Sequence, residues 1–114
     1  LGYCKKEDTL YQHTRSFILS HHNPYYYQGT CASGIGSPHT PKNYIWHIAL
    51  SMQGLTGTKE EAKKMINLIL ETSNNEGLCH EGFNKDEPSE YTRSWFAWAN
   101  SLFAELVYQT YFVK

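Results

Sequence analysis

Net charge is nearly absent from this sequence: 10 Lys and Arg stand against 11 Asp and Glu in 114 residues. No basic run occurs either, so the electrostatic footprint that grips a phosphate backbone is missing and nucleic acid is set aside as a partner. Long apolar runs are lacking too. Nothing approaches the roughly 20 residues that span a bilayer. The opening Leu1-Gly2-Tyr3-Cys4-Lys5-Lys6 has no signal-peptide layout, and no membrane contact is expected. Cysteine is scarce: Cys4, Cys31 and Cys79 are an odd number at wide spacings, with no Cys-x-x-Cys pair. That pattern argues against a disulfide framework and a structural zinc site, and for a reducing compartment, the cytoplasm.

What is abundant is aromatic: Phe, Trp and Tyr make up 15% of the chain, within 40% hydrophobic residues. Surface scaling for a chain of this mass gives roughly 6,400 Å² folded against roughly 19,000 Å² extended, so about two-thirds is buried and a true core is expected. Residues 1–114 make at most one domain. The chain opens at Leu1 on a turn-and-helix signal and reads as a piece of a longer protein.

Four main helices are expected. The first starts at Asp8 or Thr9, either able to cap, and carries Leu10, Tyr11, Thr14, Phe17 and Ile18 on one face before ending near Ser20. A long loop follows, through His21-His22-Asn23-Pro24 and then Ser33-Gly34-Ile35-Gly36-Ser37-Pro38-His39-Thr40-Pro41; loops of that length usually carry function. The second helix, from about Asn43 to Gln53, has almost no polar side, so it should be buried nearly all round and stop at Gly54. In the third, Thr58 and Glu61 form a capping box, and Met65, Ile66, Leu68 and Ile69 make an apolar stripe beside Lys59, Glu60, Lys63 and Lys64, the pattern of a surface helix. The fourth is expected from Ser89 to about Tyr111, with Tyr91, Trp95, Trp98 and Leu102 on one face and Phe96, Ala99, Phe103 and Val107 on another, both buried. No strand alternation exceeds a few residues. Inner and outer helices in alternation are what an α/α toroid produces, so the expected fold class is all-α. Four helices cannot close such a ring, and the apolar faces left over imply self-association or docking of a missing portion.

Two loops hold the chemistry. His80-Glu81-Gly82-Phe83 sets a carboxylate beside an imidazole and an aromatic ring, while His39 in the other loop lies close to Tyr44 and Trp46. If stacked hairpins bring both loops to one end, His39, Trp46, His80, Glu81, Tyr91 and Trp95 converge. Aromatic faces beside a carboxylate suit a sugar, whose C–H face packs on a π-system while its hydroxyls take polar partners. Blander readings compete: tryptophans at helical spacing fit a core, a loop histidine serves as a turn group, and Glu81 reads as a solvated carboxylate. Metal binding finds no support, since His21 and His22 are adjacent and no His-Glu-x-x-His follows from His80-Glu81. Cys79 beside His80 lacks a third group to orient the imidazole, and Gly34-Ile35-Gly36-Ser37 lacks the strand and Lys-Ser/Thr ending of a phosphate cradle. No cofactor is expected.

Taken in order, Gly34-Ile35-Gly36-Ser37-Pro38-His39-Thr40-Pro41, Tyr44-Ile45-Trp46-His47-Ile48-Ala49-Leu50, His80-Glu81 and the run from Tyr91-Thr92-Arg93-Ser94-Trp95 to Leu106 resemble the C-terminal quarter of glycoside hydrolase family 125, the metal-independent exo-α-1,6-mannosidases. The resemblance covers essentially the whole chain and rests on four separated motifs in one order. It implies an (α/α)6 barrel several times longer than this chain, and an inverting mechanism with Glu81 in the position of the general base. The acid it implies is an aspartate outside these residues. His39 and His80 would bind sugar hydroxyls or position water, and Trp46 or Tyr91 would bound the pocket. The implied ligand is a mannose-containing oligosaccharide, and the implied partner is the remainder of the catalytic domain. Gly82 stands where relatives are expected to carry serine. Asp86, Glu87 and Glu90 sit in a hydrophilic helix entry and Glu105 in an apolar helix, so none supplies the second carboxyl of the pair. The alternative, from another class, is a non-catalytic helical module that binds carbohydrate or a protein through its aromatic face.

Overall fold

The computed structural model describes residues 2–114. In chain order the elements are α1 (Thr9–Ile18), β1 (Tyr26–Gln28), β2 (Ser33–Ile35), β3 (Tyr44–Trp46), α2 (His47–Thr56), α3 (Lys59–Glu71), β4 (Gly82–Asn84), β5 (Tyr91–Thr92) and α4 (Ala97–Tyr111). The four helices are present, but the expectation of an all-α fold is corrected by two small antiparallel sheets, β1-β2 and β3-β4-β5. A bridge between Gly36 and Ile45 ties one to the other. Strands of two or three residues show no alternation to detect, and Tyr44-Ile45-Trp46 merges with the apolar run that follows. What separates them is backbone: Asn43 sits in the left-handed region at φ 73, and Trp46 is extended at the N-cap of α2.

Two helix boundaries move as a result. The second helix starts at His47 rather than Asn43 and runs through Gly54 to Thr56. Gly54 does not stop it; a Cβ there would come within 2.8 Å of Leu106 Cδ1, so the missing side chain lets α4 lie close on α2. The fourth helix starts at Ala97, because Tyr91 and Thr92 belong to β5. It buries only Ala99, Leu106 and Thr110, whereas Trp98 is 71% exposed. The expected burial of this helix on two faces is therefore corrected: the face bearing Trp98 has no cover among the described residues.

In α3 the Thr58 hydroxyl accepts the Glu61 N–H at 3.2 Å, but Glu61 does not complete the box. Its carboxylate takes Arg15 at 2.6 Å and Gln53 at 3.0 Å instead, tying α1 and α2 to α3. Ala62, Met65, Ile66 and Ile69 form the buried stripe. The core then closes under the sheet, where Ile45 and Phe83 are direct cross-strand partners and fully buried. Each contributes about 1.5–3 kcal/mol by leaving water. Side chains alternate across a strand, so with Ile45 and Phe83 inward, Trp46 and Gly82 share the outer face, where the next register pair places them.

Candidate active site

Glu81 stands at the entry to β4. Its N–H donates to the Thr92 carbonyl at 3.1 Å, and the next N–H, of Gly82, donates to Thr92 Oγ1 at 3.1 Å. Across the register from Gly82 lies Trp46, close enough that a Cβ on residue 82 would meet indole Cδ1 at 3.2 Å. The indole is oriented at both ends: Nε1 donates to Thr40 Oγ1 at 2.9 Å, and the ring meets Phe96 edge to face at 6.2 Å. Together these elements wall an open cleft of ≈ 650 Å³ lined by His39, Trp46, Glu81, Arg93, Phe96 and Trp98.

The carboxylate of Glu81 is largely covered, with 17% of its side chain exposed, and Oε2 lies 3.4 Å from Arg93 Nε. That guanidinium also sits 5.7 Å from the Phe96 ring centroid. At this length, and with Arg93 mostly exposed, the pair is a weak one. Arg93 has φ 52, a left-handed conformation that few non-glycine residues adopt and that tends to collect at functional sites. A carboxylate with aromatic walls and one cation can hold a sugar and accept a proton from water.

His39, Trp46 and Glu81 come together in the cleft as the sequence led one to expect. His80 and Tyr91 do not line it. His80 is wholly buried, its ring stacked on Tyr91 at 3.8 Å and nearly parallel, and its Nδ1–H faces the Ser94 carbonyl at 3.2 Å. Burial lowers its pKa from the ordinary value, against the pull of the Ser94 and Arg93 carbonyls. Both residues stand behind Glu81. Trp95, 59% exposed, is outside the cleft lining as well. Arg93, Phe96 and Trp98 were missed as lining residues. A lone cation followed by three aromatics was the available signal, and reading residues 90–111 as one helix hid it.

Other candidates carry less chemistry. Burial pushes the Cys79 thiol up to about 11, which leaves it un-ionised and a poor nucleophile. Among the described residues no three of His, Cys, Asp or Glu converge as they would to hold a metal ion. A second cavity of ≈ 290 Å³ lies against α1, walled by Tyr3, Leu10, Tyr11 and Ile18 among others, and it contains no carboxylate. Glu87, Glu90 and Glu105 are exposed.

Comparisons with known proteins agree with one another. A family model described as metal-independent alpha-mannosidase (GH125) matches residues 1–108. The meiotically up-regulated gene 157 protein of Schizosaccharomyces pombe is 39% identical over 109 residues, which cover 94% of this chain and 21% of that protein. A solved structure of a Streptococcus pneumoniae protein, from a family of metal-independent alpha mannosidases and in a non-productive complex with alpha-1,6-mannobiose, superposes with a TM-score of 0.93 at 50% identity. That match covers 96% of this chain and 26% of the other. The chain thus spans about a fifth to a quarter of the length of these relatives.

Proposed function

The chain belongs to the family of metal-independent α-mannosidases (GH125), and from that premise we propose that the full-length protein hydrolyses terminal α-1,6-linked mannose with inversion, Glu81 acting as the general base. The observation that carries this reading is the Glu81 carboxylate itself, set in the wall of an aromatic cleft with Arg93 at 3.4 Å. The similarity to a protein solved with alpha-1,6-mannobiose supports the choice of sugar and linkage.

In the proposed reaction a water between Glu81 and the anomeric carbon gives a proton to the carboxylate as its oxygen forms the new bond to carbon. The glycosidic C–O bond breaks on the opposite face, and the leaving oxygen takes its proton from an acid. Such pairs stand about 6.5–9.5 Å apart to leave room for the water. The acid belongs to the part of the domain beyond these 114 residues, so this piece alone should be inactive. Trp46 and Trp98 offer faces for the pyranose ring, and His39 offers a hydrogen bond to a hydroxyl. His80 and Tyr91 act from behind, by packing. The cytoplasm is proposed as the compartment on the cysteine pattern of the sequence alone, three cysteines at wide spacings with no Cys-x-x-Cys pair.

Release of mannose from α-1,6-mannobiose by the full-length protein and by Glu81→Gln tests the proposal. Loss of a general base costs about 10²–10⁴-fold in rate, and the amide keeps the shape, so sugar binding should persist. A Gln variant retaining more than about a tenth of the wild-type rate would remove Glu81 from the role. Wild-type protein that binds the disaccharide without cleaving it would favour the non-catalytic module.

A further inference from the structure

Outside the cleft lining, His47, the first residue of α2, has both ring nitrogens engaged. It is fully buried. Its Nδ1 accepts the backbone N–H of His80 at 2.9 Å, and its Nε2 lies 2.8 Å from Thr72 Oγ1. An amide N–H only donates, so Nδ1 must carry the lone pair and Nε2 the proton. Thr72 Oγ1 can accept that proton because its own goes to the Leu68 carbonyl at 2.7 Å. The partners therefore assign one neutral tautomer. The ring is also held by packing, 4.7 Å from Phe83 and 5.4 Å from His80 between centroids.

What His47 holds is the Cys79–His80 peptide, one residue upstream of the peptide that enters Glu81. The neighbouring amides are fixed in the same way: Cys79 N–H donates to Asn100 Oδ1 at 3.0 Å, Glu81 N–H to the Thr92 carbonyl and Gly82 N–H to Thr92 Oγ1. Of these four consecutive N–H groups, the two that precede Glu81 are met by side chains from two different helices, α2 and α4. Neither is needed for the sheet, whose pairing begins at Gly82. Buried amides need acceptors in any fold, and here the acceptors come from α2 and α4 and fix the backbone leading into a carboxylate that must face one water at one angle.

We propose that His47 is a positioning residue for the Glu81 base, fixing the Cys79–His80 peptide just upstream of it by accepting the His80 N–H at Nδ1. This rests on the reading of Glu81 as the base, and the test keeps the two apart. In the full-length protein acting on α-1,6-mannobiose, His47→Phe keeps a ring in the site but offers no acceptor. Its kcat should fall about 10- to 100-fold, the range for a small misplacement of a reacting group, while KM stays within about twofold. His47→Asn places Oδ1 near the position of Nδ1 and should recover most of the kcat. A His47→Phe kcat within about twofold of wild type, or His47→Asn as damaged as His47→Phe, would overturn the proposal.

Nitrogen-15 spectra of the histidine-labelled wild-type protein give a readout that depends on no variant folding. Near neutral pH they should show an unprotonated Nδ1 and a protonated Nε2 for His47, and the opposite tautomer or an imidazolium would sink the idea. Glu81→Gln is assayed in parallel. If it is as active as wild type, the base reading fails whatever His47 does; if it is inactive while His47→Phe is unimpaired, only the positioning role fails.

Discussion

In residues 79–82 every backbone N–H is met from elsewhere in the chain, by Asn100, by His47 and twice by Thr92. In α1 no residue is buried, and Leu10 and Phe17 face outward at 68% and 53% exposure. Both stretches are rich in apolar neighbours, so composition does not separate them. The first finds its partners within these residues; the second meets the rest of the molecule mainly through polar ties, such as Arg15 to the Gln53 carbonyl at 2.9 Å and to Glu61. The total exposed area, 7221 Å², exceeds the roughly 6,400 Å² expected of a compact chain of this mass. Large apolar side chains left in water gather on α1 and on α4, with Trp98, Tyr108 and Tyr111 on the latter. The lesson is that the half bearing Glu81 has its backbone satisfied within these residues, although His80 Nε2 is buried with no partner among the described residues, while the framework half is left open, in a chain covering 26% of a solved relative.

The largest expected effect comes from attacking the complete half. Phe83→Ala in the full-length protein removes a fully buried ring packed on Ile45 across the sheet and on His47, and should cost about 3–5 kcal/mol. An unfolding free energy lowered by less than about 1 kcal/mol would mean that the Glu81 stretch is held from elsewhere.

Acid probes the same half more gently. Burial, and then repulsion from His80, hold His47 at about 3 against an ordinary 6.5. With the folded-state value depressed, the unfolded chain takes the proton first. The contribution to stability is whole above the unfolded value and drains away as pH falls from 6.5 toward about 3, by at most ~1.4 kcal/mol per pH unit. Denaturation of wild type and His47→Asn over that window should show a steeper loss in wild type, and parallel curves would break the assignment.

The smallest effect on stability is expected in the incomplete half. Phe17→Ser in the 114-residue piece should change stability by no more than about 0.5 kcal/mol, yet reduce self-association at high concentration, because it removes apolar surface that a closed barrel would cover. Light scattering checks this. A piece that is cleanly monomeric with or without the substitution would show that the outward faces seek no partner.

How much of this could be read in the sequence follows the same division. The four helices were legible because each spans enough turns for a face to repeat, and the Thr58 cap was legible because it is local. That His39, Trp46 and Glu81 share one cleft was legible from residue type and from the convergence of the two long loops. The strands were not: Tyr44-Ile45-Trp46 carries no period, and its end is set by Asn43 and Trp46 backbone angles rather than by side-chain pattern. Trp98 was read as core because its helical spacing fits a core, and only the absence of a covering layer turns it outward. His47 lay within a motif of the family resemblance but had no role assigned to it, since an imidazole among Ile45, Trp46 and Ile48 has meaning only when His80, distant in sequence, is brought to it.

The central claim is that Glu81 acts on water and not on the sugar carbon. Proton NMR of the first mannose released by the full-length protein from α-1,6-mannobiose tests this directly, before the anomers equilibrate. A base that activates water on the face opposite the leaving group gives β-mannose first, and this is the predicted result. α-Mannose first would mean two successive displacements through a bond to the enzyme, and would contradict the account.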